Sequence, residues 1–237
     1  MIPKVIHLCW FSNELFPVEI KVCLDTWKRI LPDYTIRRWT YEDAVAINSN
    51  FVNEALALKR WAFASDVVRF YALYHEGGVY MDSDIFLNRR FDEFIPESGF
   101  ATFIELSHAN DTRLSLQAAF MIGEKGNSFC KDMLDYYDGV HFDNADDTIK
   151  SEVSPIKMSY VAEKYGYVHE DVLQKLGKIT VYPACYLSPR KKYNHNKKKA
   201  IGVHRIYGSW RKRKFGRKIE IELKHYYNVI KYTLLQN

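Results

Sequence analysis

Asp82 and Asp84 flank Ser83 at the point where Val79-Tyr80-Met81 gives way to Ile85-Phe86-Leu87. In an extended segment residues two apart point to the same side, so both carboxylates can be aimed at one point while Ser83 points away. Two carboxylates held that close repel unless a cation lies between them. Hard oxygen ligands at a strand end suit Mg2+ or Mn2+, with diphosphate oxygens completing an octahedron. A bare Asp-x-Asp also occurs in surface turns, because turn chemistry favours Asp. Three features set this one apart: Gly77-Gly78 precedes it, apolar strand residues flank it, and the segment before it carries Asp66 and Arg69. At about 100° per residue those two fall about 60° apart, beside the stripe of Phe63, Val67, Phe70, Tyr71 and Tyr74, where they can act together.

The elements that must hold these residues follow from apolar spacing. Helical periodicity runs from Trp61 to His75 and ends at Gly77-Gly78, which supplies a cap and removes side-chain bulk. Ile2 to Leu8 reads as a first, buried strand with Trp10 just past its carboxyl end. A helix from Pro17 to Leu31 and a strand from Tyr34 to Trp39 follow, an order typical of a parallel sheet. Val79 to Met81, Ile85 to Leu87, Phe100 to Glu105, Leu116 to Ile122, Thr180 to Tyr182 and Ile201 to His204 are further expected strands. Asn127 to Tyr137 and Pro155 to Tyr165 are expected helices, and Asn144 to Ile149 a loop. The carboxyl ends of strands in open α/β sheets are where nucleotide ligands bind, which is where Asp82 and Asp84 fall.

With 237 residues, 47% of them hydrophobic, the chain can bury one substantial core, and a single domain is expected. No apolar run approaches the roughly 20 residues that span a bilayer, and the N-terminus does not read as a signal peptide, so a cytoplasmic protein is expected. Cys9, Cys23, Cys130 and Cys185 are too scattered for a zinc site or a disulfide framework and read as reduced. The net charge of +5 concentrates in Arg190-Lys191-Lys192, Lys197-Lys198-Lys199 and Arg211-Lys212-Arg213-Lys214. No groove-reading helix or base-stacking motif accompanies it, so nucleic acid is not an expected partner. A basic amphipathic helix is expected from about 218 to 235. It either packs on the core or lies on an anionic membrane surface, at the inner face, near a lipid-linked acceptor.

The stretch Ala64-Ser65-Asp66-Val67-Val68-Arg69 through Gly77-Gly78-Val79-Tyr80-Met81-Asp82-Ser83-Asp84 closely resembles the sugar-binding DxD region of glycosyltransferase family 32. That family includes yeast initiating α-1,6-mannosyltransferases and bacterial capsule and lipopolysaccharide glycosyltransferases, and is related to the clostridial glucosylating toxins. Ile2 to Trp10 matches the family's first strand, and His204 with Ser209-Trp210 resembles its late His and Ser-Trp segment. The resemblance implies an α/β, GT-A type fold: one Rossmann-like domain with a mixed, mostly parallel sheet flanked by helices, expected over residues 1–217; for the helix of residues 218–237, packing on that domain is the commoner of its two outcomes.

Carried onto these positions, the resemblance assigns the metal to Asp82, Asp84 and His204: Asp84 binds it directly, His204 is an additional ligand, and Asp82 contacts the donor's ribose or reaches the metal through water. It makes Asp66 and Arg69 the donor-sugar pair and Trp10 the ring that stacks on the base. Val5 and His7 are expected along the same strand end, and Ser209 and Trp210 over the diphosphate. The implied reaction is transfer of a hexose, with retention, from UDP-galactose or UDP-glucose to a saccharide or lipid-linked saccharide in surface polysaccharide synthesis, using Mn2+ or Mg2+. A GDP-mannose donor is the alternative. A metal-dependent phosphatase or nucleotidyltransferase is a weaker one, because the first strand carries Lys4 and His7 where a nucleophilic Asp is needed. A non-catalytic carbohydrate-binding module would have no use for a metal and diphosphate site. The chain departs from the family pattern in one place: Ala118 stands where many members carry Asn, with Gln117 beside it as the candidate substitute.

Overall fold

The computed structural model describes residues 1–106, 114–142, 154–187, 199–205 and 227. The expected loop at 144–149, most of the basic clusters, Ser209, Trp210 and, save for Tyr227, the helix of 218–237 lie outside the described residues.

The chain begins with β1 (Val5–Cys9), α1 (Val18–Ile30) and β2 (Thr35–Trp39), close to the expected bounds. Two short helices follow that apolar spacing had not suggested, α2 (Tyr41–Val45) and α3 (Asn50–Ala57). Thr40 and Asp43 close a reciprocal capping box at the start of α2. Next come α4 (Trp61–His75), β3 (Gly78–Met81), β4 (Ile85–Leu87), a 3-10 turn (Asp92–Phe94) and β5 (Phe100–Glu105). The strand expected from Leu116 to Ile122 is broken into β6 (Ser115–Leu116) and β7 (Phe120–Gly123), because the carbonyls of Ala118 and Ala119 turn toward α4 and the end of β3. The remaining elements are α5 (Ser128–Tyr137), α6 (Ser154–Glu163), β8 (Gln174–Leu176), β9 (Ile179–Tyr182), a 3-10 turn (Ala184–Tyr186) and β10 (Gly202–His204).

The main sheet is ordered β2-β1-β3-β7-β5-β9-β8, with β6 paired to β5. β1 pairs in parallel with β2 and β3, and β5 with β9, while β7 and β8 run against their neighbours. This is the mixed, mostly parallel sheet the sequence implies. One buried cluster lies on the α3, α4 and α5 side and includes Val67, Phe70, Tyr80 and Phe129. The other, on the α1 side, includes Ile6, Trp27, Val79, Met81 and Phe91. Tyr80 faces one cluster and its neighbours Val79 and Met81 the other, as the two-residue period of a strand demands. β4 and β10 stand outside this sheet as an antiparallel pair, His204 opposite Ile85. Among the described residues no helix is long and apolar enough to cross a membrane. All four cysteines are free.

Candidate active site

α4 and β3 meet at Glu76-Gly77-Gly78. Gly77 takes φ +72° and its N–H donates to Leu73 O, closing the helix in a left-handed cap. Gly78, at φ +115°, passes so near β1 that a Cβ there would lie 2.6 Å from Val5 O. This tight reversal sets the last turns of α4 beside β3 and delivers Asp66 and Arg69 to the carboxyl end of β1 and β3.

Asp82 and Asp84 do not sit on an extended strand. β3 ends at Met81, and Ile85 N–H donates back to Asp82 O at 3.0 Å, so the two carboxylates converge through a turn. Asp82 N–H donates to Ala119 O, and Tyr80 Oη donates to Asp82 Oδ1 at 2.7 Å. His204 arrives from the far end of the chain because β10 pairs with β4. Its Nε2 lies 3.3 Å from Asp84 Oδ1 and 4.0 Å from Asp82 Oδ2. One ligand atom from each of Asp82, Asp84 and His204 falls within 4.8 Å of the others. Burial disfavours the imidazolium, yet the neighbouring Asp84 and Asp82 carboxylates outweigh it and raise the His204 pKa to about 9. Such a cluster of negative charge relieved by a proton is what a divalent cation would relieve better.

Arg69 is almost wholly buried. Its Nε and Nη2 donate to Ser65 O and Oγ at 3.0 Å each, its Nη1 to Ala118 O at 3.1 Å, and Asp66 Oδ1 lies 3.1 Å from Nη2. The guanidinium stacks over the Tyr80 ring and stands 3.7 Å from Asp82 Oδ1. Most of its fork is thus held by the protein itself, leaving it a fixed positive charge more than an open clamp. Asp66 is raised to about 6 by burial, with Arg69 and the buried Lys157 pulling it back.

Asp66, Arg69, Asp82, Asp84 and His204 line one cavity of about 590 Å³ together with Trp10. The indole of Trp10 leans on Phe16 and donates from Nε1 to Glu14 O, while Arg38 donates to its carbonyl. Val5 and His7 do not join them. His7 is fully buried: Trp39 Nε1 donates to its Nδ1 at 3.2 Å, and its Nε2 lies 2.7 Å from Gly77 O. Both ring nitrogens are occupied by the core, and burial lowers its pKa, so it is a neutral packing residue rather than a wall of the cleft. Val5 lies at the start of β1, away from the cavity. Ser209 and Trp210 lie outside the described residues. The cavity adds residues that the sequence reading left out: Trp61 and Phe63 at the start of α4, Ser154 and Pro155 at the start of α6, and Glu105; Gln117 lines it as well. Trp61 and Phe63 stood in view on a correctly read helix; the turn of α4 that faces the cleft is what spacing alone does not give.

Comparison with known proteins agrees with this geometry. Residues 17–101, which hold Asp66, Arg69, Asp82 and Asp84, match the family described as a glycosyltransferase sugar-binding region containing the DXD motif. Inositol phosphoceramide mannosyltransferase 3 of Schizosaccharomyces pombe is 32% identical over 101 residues, 40% of this chain and 27% of that one. Mannosyl phosphorylinositol ceramide synthase CSH1 of Saccharomyces cerevisiae is 29% identical over 111 residues, 42% of this chain and 27% of that one. The matched segments thus span about a quarter of the length of these relatives. Among solved structures, the PaToxG glycosyltransferase superposes with a TM-score of 0.52 at 17% identity over 69% of each chain, a likeness of fold. Residues 17–101 are thus similar to a glycosyltransferase sugar-binding region containing a DXD motif, and the chain's α/β fold is like that of the PaToxG glycosyltransferase.

Proposed function

We propose that this chain transfers a hexosyl group, with retention of configuration, from a nucleoside diphosphate sugar to a saccharide or lipid-linked saccharide, using Mn2+ or Mg2+. The observation that carries the proposal is the convergence, in one cavity, of Asp82, Asp84 and His204 with the Asp66–Arg69 pair and Trp10. Two carboxylates and an imidazole fit a hard divalent cation and leave coordination positions for diphosphate oxygens. When bound, that cation supplies positive charge to the departing diphosphate.

The chain's own groups do the rest. Arg69, immobilised by Ser65 and Ala118, adds a positive field that needs no reorganisation as negative charge develops on the leaving oxygen. Asp66, ionised above about pH 6, accepts hydrogen bonds from sugar hydroxyls and so fixes the ring. Trp10 offers an aromatic wall to the base. The acceptor hydroxyl attacks from the face the diphosphate leaves, and its proton passes to the departing diphosphate. Both fungal relatives carry mannosyl transfer to an inositol-linked ceramide in their names, which favours GDP-mannose over UDP-galactose or UDP-glucose and a lipid-linked acceptor. A lipid-linked acceptor also suits work at the cytoplasmic face of a membrane.

The deciding experiment is a screen of nucleotide sugars for GDP or UDP release, with Mn2+ and with chelator. The expected outcome is cation-dependent release from one donor, GDP-mannose first among them. Release that chelation leaves unchanged would sink the metal role, and no release from any donor would sink the enzyme.

A further inference from the structure

Residues 117–119, where the strand breaks, make contact with both charged partners of the cleft. Ala118 O accepts from Arg69 Nη1 at 3.1 Å and Ala119 O accepts from Asp82 N–H at 2.9 Å. The break is itself clamped. Gln117 Oε1 accepts from Ala119 N–H at 3.0 Å, folding the side chain over the two peptides that follow it. Thr102 Oγ1 lies 2.6 Å from Gln117 O and 3.1 Å from Phe120 O, so one fully buried hydroxyl faces the carbonyls on both sides of the gap. Gln117 N–H is tied to Phe103 O.

Building on the transfer reaction proposed above, we infer that Gln117 and Thr102 are positioning residues: they hold the Ala118 and Ala119 carbonyls at the spacing that sets Arg69 against Asp82. Position 118 acts through its main-chain oxygen, which any residue supplies, so Ala118 in place of the family's Asn leaves this contact intact. The amide nitrogen of Gln117 is buried with no partner. An unsatisfied buried donor carries a desolvation penalty, so stability alone would favour an apolar side chain there. Gln117→Met removes that penalty along with the clamp, and its effects on folding oppose each other. Its effect on the cleft does not.

The test compares Gln117→Met, Thr102→Val and Thr102→Ser with the wild-type chain in three measurements: melting temperature, Mn2+ affinity in the absence of sugar nucleotide, and kcat/KM for nucleotide-sugar turnover well below melting. The expected result for Gln117→Met is a melting temperature within about 4 °C of wild type. Its kcat/KM falls by roughly tenfold to a hundredfold, as for a misplaced catalytic group, and its Mn2+ binding weakens. Thr102→Ser, which keeps the hydroxyl, retains function that Thr102→Val loses. If Gln117→Met does not fold, the Thr102 pair decides. Wild-type kcat/KM and Mn2+ affinity in Gln117→Met, or equal behaviour of Thr102→Ser and Thr102→Val, overturns the inference. A wild-type chain that turns over no nucleotide sugar overturns the transfer reaction and this inference with it.

Discussion

His204 Nε2 sits 3.3 Å from Asp84 Oδ1, although β5 to β9, α5 and α6 separate β10 from the turn after β3 along the chain. With its pKa raised to about 9, His204 is an imidazolium at neutral pH when no metal is present, and its charge is part of what holds the cluster. Because the folded value lies above the ordinary 6.5, this stabilisation is complete below pH 6.5 and is lost as pH rises through about 9. Chelator-treated protein should therefore melt at lower temperature at pH 9 than at pH 6.5, and His204→Asn should flatten that slope. Metal binding runs the other way: a cation must displace the proton, so Mn2+ affinity should rise by up to about tenfold per pH unit below 9. Titration with Mn2+ followed by electron paramagnetic resonance at pH 6.5, 7.5 and 8.5 checks it, and a flat affinity would remove His204 from the ligand set.

Asp66 should show a less usual pH dependence. Its pKa is raised from 3.8 to about 6, mainly by burial, so the folded chain binds its proton more tightly than the unfolded chain does. Its contribution to stability is greatest below pH 3.8 and declines as pH rises through about 6, opposite to a salt-bridged surface carboxylate. Asp66→Asn should thus melt close to wild type at pH 7.5 and fall behind it at pH 5. Donor turnover should meanwhile drop by roughly a hundredfold at pH 7.5, because a buried sugar hydroxyl loses its charged acceptor, and the gap should narrow toward pH 5, where wild-type Asp66 is itself protonated. An Asp66→Asn variant with wild-type kcat/KM would show that Asp66 serves only to neutralise Arg69.

The residues that carry periodic or compositional signals were legible in the sequence, and those placed by pairing between distant segments were not. α4 ends where Gly77-Gly78 said it would, since a left-handed cap and a close approach to β1 both need glycine. α3 left its mark in a Ser49 cap and buried Phe51, Val52, Ala55 and Leu56, but Asn50, Asn53 and Glu54 diluted the stripe. β8 carries Gln-Lys-Leu, with nothing β-rich about it, and exists because Gly177 at φ +64° turns the chain back onto β9. The convergence of Asp82 and Asp84 was read correctly for the wrong geometric reason, a pleat instead of a turn. His7 was misplaced because its partners come from β2 and from the turn before β3. Only the parallel register of β1 with both brings Trp39 and Gly77 to its two nitrogens.

That difference between Trp10 and His7 is measurable. Trp10→Ala removes an aromatic wall of the cavity and should raise the donor KM by roughly tenfold with a modest change in kcat, the mark of lost ground-state binding. His7→Phe strands the Trp39 indole N–H and Gly77 O inside the core and should destabilise the fold by about 2 to 4 kcal/mol, while folded protein keeps the wild-type donor KM. Urea unfolding and steady-state kinetics on the same preparations separate the two effects. A raised donor KM in His7→Phe would return His7 to the cleft.

Gly78 ties the strand that leads into the Asp82–Asp84 turn closely against β1. At φ +115° an L side chain is strained on any backbone, and here a Cβ would also lie 2.6 Å from Val5 O, a main-chain atom held in the β1 ladder. Neither the strand nor the glycine can yield without separating β1 from β3, the pair that brings Trp10 beside the Asp82 turn. Gly78→Ala should therefore cost more than about 3 kcal/mol, or prevent folding, by adding steric overlap to backbone strain. Gly126, at φ +74° with open space around its missing Cβ, isolates the strain alone. Gly126→Ala should cost about 1 to 2 kcal/mol. If urea unfolding gave the two variants the same stability, close packing of Gly78 against β1 would have no energetic weight, and the glycine pair would serve only to end α4.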